Sequence, residues 1–245
     1  LKLAVDPPSN GMEPQRNARC HSTQPGTHML VEINKDGMLI HARVRNARSP
    51  AIERGKRTAA ITGIVVHQTD ANTAQSSLNS YRNPKANGAH FLIDKDGTIY
   101  QTAAIYQRAN HVGPLKARCL LVGKCKARDY EGLKAKGVHR IEMLKAPGER
   151  YPSNMEAIGI EMVGRAELPK GFTPPPRQRG WTPEELRGWF GIYPTPTEAQ
   201  NRALTWLVGA LQDSMQLSPS EIFKHPDVSR KNLTEAEGAN WKMTP

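Results

Sequence analysis

Apolar positions along this chain gather into short dense runs. Two are nearly continuous: "ITGIVVHQTD" at 61–70 and "AIGIEMVG" at 157–164. Runs of that length, rich in β-branched residues and bounded by polar positions, predict strands buried on both faces. Two further stretches pair apolar runs across a turn. "HMLVEINKDGMLIHARV" at 28–44 turns at Asn34-Lys35-Asp36-Gly37, and "AHFLIDKDGTIYQTA" at 89–103 turns at Asp94-Lys95-Asp96-Gly97. Both predict hairpins. The helical period is clearest over 195–216. There Thr195 and Glu198 suggest a capping box with Pro196 at the first helical position. Ala199, Ala203, Trp206, Leu207, Ala210, Leu211 and Met215 then fall on one face, which predicts core and nothing more. Shorter helices are predicted at 73–84, with Ala74, Leu78 and Tyr81 inward, and at 182–190. Strands interspersed with helices predict an α/β fold, a central mixed β-sheet flanked by helices.

The pattern also divides the chain. Residues 1–27, rich in Pro, Gly, Asn and Arg, read as an irregular arm, and with the first hairpin they make an N-terminal extension over 1–57. The main domain is expected over 58–245. Within it, 115–157 has mixed polarity and no clean period, and reads as a long insertion over one edge.

Composition narrows the partners. Mean hydropathy is −0.60 and no apolar stretch nears the roughly 18 residues of a transmembrane helix, so no membrane span is expected. The 245 residues carry a net charge of +11, which suits a polyanion: nucleic acid, an anionic membrane or an acidic cell wall. The cations are scattered without the aromatic interleaving of a single-strand groove, so nucleic acid is the least favoured. Three cysteines, Cys20, Cys119 and Cys125, include no C-x-x-C pair, which argues against a cysteine-rich structural zinc site. Cys119 and Cys125 either close a small disulfide loop or remain two thiols. No signal peptide is visible. The chain begins at Leu1, so a leader has either been removed or lies outside it.

Candidate chemistry begins with His67, which ends an apolar run at the place where open α/β sheets collect ligands. His225 follows the long helix, forced out of helical geometry by Pro226, and Glu235 lies ten residues beyond it. Glu161 interrupts the apolar run at 158–163. Two neutral imidazoles and a carboxylate form the usual protein set for a hydrolytic zinc with one position left for water. Glu161 is the right type for a general base, and Lys231 for steadying an oxyanion. Bland readings stand beside these: a hydrogen-bonded structural histidine, a carboxylate in a salt bridge, a solvated lysine. Spacing alone does not decide among them.

The ordered blocks "GIVVHQTD", "NGAHFLIDKDGTIYQ", "NHVG", "AIGIEMVG" and "HPDVSRKNLTE" resemble those of the zinc-dependent N-acetylmuramoyl-L-alanine amidases, the type 2 amidase and peptidoglycan-recognition superfamily. The resemblance spans about 58–241, apart from the insertion. It implies a mixed sheet with a zinc groove on one face, and hydrolysis of the amide joining the lactyl group of N-acetylmuramic acid to L-alanine of the stem peptide. It further implies His67 and His225 as zinc ligands, with Glu235 at the family's third-ligand position. The family has aspartate or cysteine there, so Glu237 and Asp227 are kept as alternatives. Glu161 matches the catalytic carboxylate. Lys231 resembles the active-site lysine, offset by two residues from its usual place. His90 and His111 fall in family blocks and are carried as substrate-binding candidates, His90 either facing the groove floor or packing structurally and His111 touching substrate. "ERYPSN" and "RKNLTEA" are most similar to a proteobacterial branch with cell-wall toxins delivered by type VI secretion. That branch implies a bacteriolytic monomer acting in the periplasm or outside the cell, with an immunity or secretion-system partner. The alternative implied by an unusual third ligand is an inactive peptidoglycan-binding module of the same fold.

Overall fold

A computed structural model describes residues 30–242. The irregular arm at 1–27, together with Cys20, His21 and His28, lies outside the described residues. The chain opens with a small hairpin of β1 (Glu32–Ile33) and β2 (Leu39–Ile40), then β3 (Val44–Asn46) and β4 (Glu53–Lys56). β5 (Gly63–Gln68), α1 (Ala74–Ser80), β6 (Phe91–Ile93), β7 (Ile99–Gln101) and β8 (Gln107–Ala109) follow. Two helices, α2 (Arg118–Leu121) and α3 (Ala135–Met143), precede β9 (Ala157–Met162). The rest is α4 (Pro183–Phe190), α5 (Glu198–Met215), β10 (Ile222–Lys224) and α6 (His225–Val228).

Six strands form the central sheet in the order β10-β5-β9-β6-β7-β3. β10, β5, β9 and β6 run parallel, β7 turns back antiparallel to β6, and β3 lies parallel to β7. The mixed α/β sheet flanked by helices is therefore the architecture of the chain. The hairpin at 94–97 turns where Gly97 takes a left-handed φ of +87°, open at little cost only to glycine. The first hairpin differs from expectation. Its second apolar run breaks into β2, which closes the hairpin, and β3, which leaves it to edge the main sheet. The described part of the extension is thus packed onto the sheet.

Side chains alternate across β5 and β9, so each strand builds two cores. Ile64, Val66, Ile158, Ile160 and Met162 face α5, where Leu204, Leu207, Val208 and Leu211 meet them. Val65 and Ala157 face the other way, against Leu115, Tyr151 and Val228.

α5 starts later than its sequence suggested. The capping box is Thr197 with Gln200, not Thr195 with Glu198, and Pro196 precedes the cap. The reason is tertiary. Gln200 is buried, and its side-chain amide donates to the carbonyls of Ile93 and Val163 at the strand ends. That contact turns the inward face toward Gln200, Leu204, Leu207, Val208 and Leu211, leaving Ala199, Ala203, Trp206 and Met215 at its margins.

The insertion folds as a head at the sheet's β10 edge. Cys119 and Cys125 are joined as a disulfide. Arg118 grips Glu221 through two hydrogen bonds of 2.8 and 2.6 Å, and Arg150 does the same to Glu156. Glu142, fully buried, accepts from Tyr130 and Lys145. His139 is half-buried and accepts the Leu115 N–H.

Candidate metal centre

One row of the sheet carries the chemistry. His67 pairs with Glu161 across β5 and β9, and Lys224 pairs with Val66 across β10 and β5. His225 follows Lys224, which brings it beside His67. Three parallel strands therefore present His225, His67 and Glu161 along one line, on the face opposite α5. Pro226, in the first turn of α6, is free of the N–H that the β10 ladder would need, so the strand ends at Lys224, just before His225.

Glu235 arrives from the loop after α6. Gln68, the residue after His67, directs it: its side-chain oxygen accepts the Ala236 N–H at 2.9 Å, and its amide donates to Pro194 O at 2.8 Å. Ala236 itself is buried in the left-handed region at φ 57°, a strained state for alanine that the clamp maintains. Asn232, also buried, donates to Gly191 O and steadies the loop from its other side.

The resulting cluster is compact. His67 Nδ1 lies 2.8 Å from His225 Nδ1, His225 Nδ1 lies 2.9 Å from Glu235 Oε1, and His67 Nδ1 lies 3.5 Å from the same oxygen. Bonds of about 2.0–2.1 Å in a tetrahedron set donors roughly 3.3 Å apart, so these three atoms are spaced for a divalent ion. All three residues are buried. Asp227 and Glu237 are exposed and stand outside the cluster.

Protonation agrees with that use. Burial, reinforced by the neighbouring His225, lowers the His67 pKa to about 4, so its ring is neutral near pH 7. Burial pushes Glu235 upward, but bonds from His225 and His67 outweigh it and hold the carboxylate well below its ordinary range. Neutral imidazoles beside an ionised carboxylate are the state in which such residues bind metal.

Behind His67 stands His111. His67 Nε2 lies 3.0 Å from His111 Nδ1, and His111 Nε2 faces Ala157 O at 3.4 Å. With protons on both Nε2 atoms this relay leaves His67 Nδ1 bare toward the cluster. Asn154 anchors the His111 segment by accepting the N–H groups of His111 and Val112. Gly159 makes the seat. A Cβ on it would lie 2.7 Å from His111 Cγ, so only glycine fits between β9 and the imidazole.

Glu161 and Lys231 line the same groove of about 580 Å³, as do His67, His225 and Glu235. Glu161 Oε2 is sealed from solvent and has no hydrogen-bond partner among the described residues; His225 Nε2 shares that condition. Burial, then repulsion from Glu235, raises the Glu161 pKa to about 8, with Lys231 opposing the shift. Lys231 is exposed and forms no ion pair among the described residues.

His90, carried with His111 as a substrate-binding candidate, packs inside the fold. It is fully buried and does not line the groove. Its Nδ1 accepts the Gly159 N–H at 3.1 Å, while Nε2 sits 2.7 Å from Arg57 and 3.0 Å from Gln107 O, so both ring nitrogens are engaged inside the fold. Gln68, Gly159 and Asn154 were singled out for no role by sequence, although "HQTD" and "IGIE" set the first two beside assigned residues. Tyr193, another residue of the groove, gave no sequence signal.

A model of the N-acetylmuramoyl-L-alanine amidase family matches residues 57–237. No curated protein sequence matches significantly. Among solved structures, AmpD, as its selenomethionine derivative, is 17% identical at a TM-score of 0.45, with 88% of this chain and 95% of that one covered. The endolysin amidase LysCS from Clostridium intestinale URNW is 15% identical at 0.37, covering 78% and 86%. AmpDH3 from Pseudomonas aeruginosa, solved with anhydromuramic pentapeptide, is 19% identical at 0.41, covering 71% and 55%. Because the family model takes in well over half of its length, the chain belongs to the N-acetylmuramoyl-L-alanine amidase family.

Proposed function

We propose that the chain is a zinc-dependent peptidoglycan hydrolase that cleaves the amide between the N-acetylmuramic acid lactyl group and L-alanine. The observation that carries this reading is the convergence of His67 Nδ1, His225 Nδ1 and Glu235 Oε1 beside an unpartnered Glu161 oxygen. His67, His225 and Glu235 would hold the ion. Zinc, when bound, acts as a Lewis acid and lowers the pKa of water toward neutrality.

The chain's own groups do the rest. Glu161 takes a proton from the attacking water as it adds to the lactyl carbonyl, and delivers it to the alanine nitrogen as the C–N bond breaks. The products are a lactyl carboxylate and a free amine. Lys231, whose charge acts on both Glu161 and His67, favours the negative oxygen that forms in between. His111 fixes the His67 ring and is a positioning residue. The net charge of +11 raises the local concentration of anionic wall polymer. The disulfide supports a place of action outside the reducing cytosol, the periplasm or the exterior. The type VI-delivered branch, with an immunity partner and a monomeric state, is the reading we carry for its biology.

Mass spectrometry of digested muropeptides tests the reaction. Intact disaccharides and free stem peptides are expected from the wild type, and neither from Glu161→Gln. Cleavage within the glycan or the stem would reject the assignment.

A further inference from the structure

The insertion's surface differs from the rest of the chain. Of the thirteen large apolar side chains exposed among the described residues, seven lie between 120 and 144. Leu120, Leu121 and Val122 are held out by the loop that the Cys119–Cys125 disulfide closes. Leu133, Ile141, Met143 and Leu144 stand on and around α3, with Leu121 70% and Leu144 88% exposed. A buried cluster joins the two groups: Lys145 Nζ reaches Cys119 Sγ at 3.5 Å and Glu142 at 2.6 Å. They belong to one head.

Cations surround these side chains. Lys124, Lys126, Arg128, Lys134, Lys136 and Arg140 are all exposed, and none has an ion pair among the described residues. Some exposed arginines elsewhere are paired, as Arg48 is with Glu53 and Arg202 with Glu198. The head's acids are already engaged, since Glu142 is buried against Lys145 while Asp129 and Glu149 accept backbone N–H groups; only Glu131 is left. Leu120, Leu121 and Leu133 also wall a cavity of about 530 Å³, lined too by Arg230, which has no ion pair among the described residues.

We propose that residues 115–157 are a docking head for an anionic phospholipid bilayer. Unpaired cations alone suit any polyanion, including the wall polymer. The aliphatic side chains decide between these, because a hydrated glycan offers no apolar phase to receive them whereas a bilayer interface does. Cations at the headgroup level and leucines below it give both contributions at once. No helix of the described residues is long and apolar enough to cross a membrane, and the contact proposed is peripheral. The exposed leucines and cations of the head lie outside the metal groove, so the proposal stands apart from the zinc reading.

The test is sedimentation of the full chain with vesicles of equal parts phosphatidylglycerol and phosphatidylcholine, against phosphatidylcholine alone. Binding to the anionic vesicles is expected, weakening with salt. It should fall at least about tenfold in the double variant Leu121→Glu/Leu144→Glu, and similarly in Lys124→Glu/Lys126→Glu. Both variants should melt like the wild type and cleave soluble muropeptide at its rate, since all four side chains are exposed. Absence of vesicle binding overturns the proposal. So does binding that the leucine variant leaves intact, which would mean adsorption by charge alone, or equal binding to neutral vesicles.

Discussion

The two faces of β5 and β9 use the same backbone for opposite ends. Toward α5 the strands show Ile64, Val66, Ile158, Ile160 and Met162, all at or near zero exposure. Toward the groove the alternate positions hold His67, Gly159 and Glu161. Burying a carboxylate without a partner costs stability, as does leaving a buried imidazole nitrogen unpaired. The aliphatic face supplies that cost. One side of the sheet keeps the protein folded so that the other can hold groups that would rather be in water.

Substitutions on the two faces should therefore separate stability from activity. The largest effect is expected at Glu161→Gln. Amine release from purified wall should drop about 10²- to 10⁴-fold, while the melting temperature changes little near pH 7, where burial already keeps the Glu161 carboxyl protonated. Leu207→Ala, on the α5 side, should do the reverse. A loss of about 2–5 kcal/mol in denaturant unfolding is expected, with specific activity kept in the folded fraction. Zinc at a hundredfold excess over its Kd should add about 2.7 kcal/mol to the stability of the metal-free protein, and His225→Ala should abolish that gain in a thermal melt. Gly159→Ala is a finer probe. By displacing His111 it should cost about 1–3 kcal/mol and lower zinc affinity in competition with a chelator, showing that His111 acts through His67.

The smallest effect is one of pH on the metal-free protein. Glu161, raised to about 8, keeps its proton in the fold over a range where the unfolded chain has lost it. Stability from this group is complete below its unfolded value and is lost as pH rises through about 8. His67, lowered to about 4, works in the other direction, but its contribution is complete once pH passes the unfolded histidine value near 6.5. Between about 6.5 and 8 the fold should weaken by no more than about 1.4 kcal/mol per pH unit, and Glu161→Gln should flatten that slope in urea titrations.

Legibility followed the range of the interaction. β5, β9, the turn at Gly97 and the Thr182 cap of α4 depend on neighbours in sequence and could be read from it. The α5 cap could not, because Gln200 is drawn inward by carbonyls of Ile93 and Val163 rather than by its own helix. β3 and β10 are three residues each and are strands only because a partner lies alongside. At the site, the residue types of His67, His225 and Glu235 were legible with the help of ordered blocks. The relay through His111 was not, since it depends on the room left by Gly159.

The row across β10, β5 and β9 also bears on how the protein comes into being. His67 and His225 are 158 positions apart and meet only because β10 seats on β5 in one register. A slip of one residue would put Lys224 or Pro226 in the histidine's place and send its side chain to the wrong face. Any assembly of the sheet that lacks the β10–β5 pair keeps the two imidazoles apart, so the cluster forms only once the last strand in the sequence has found its place.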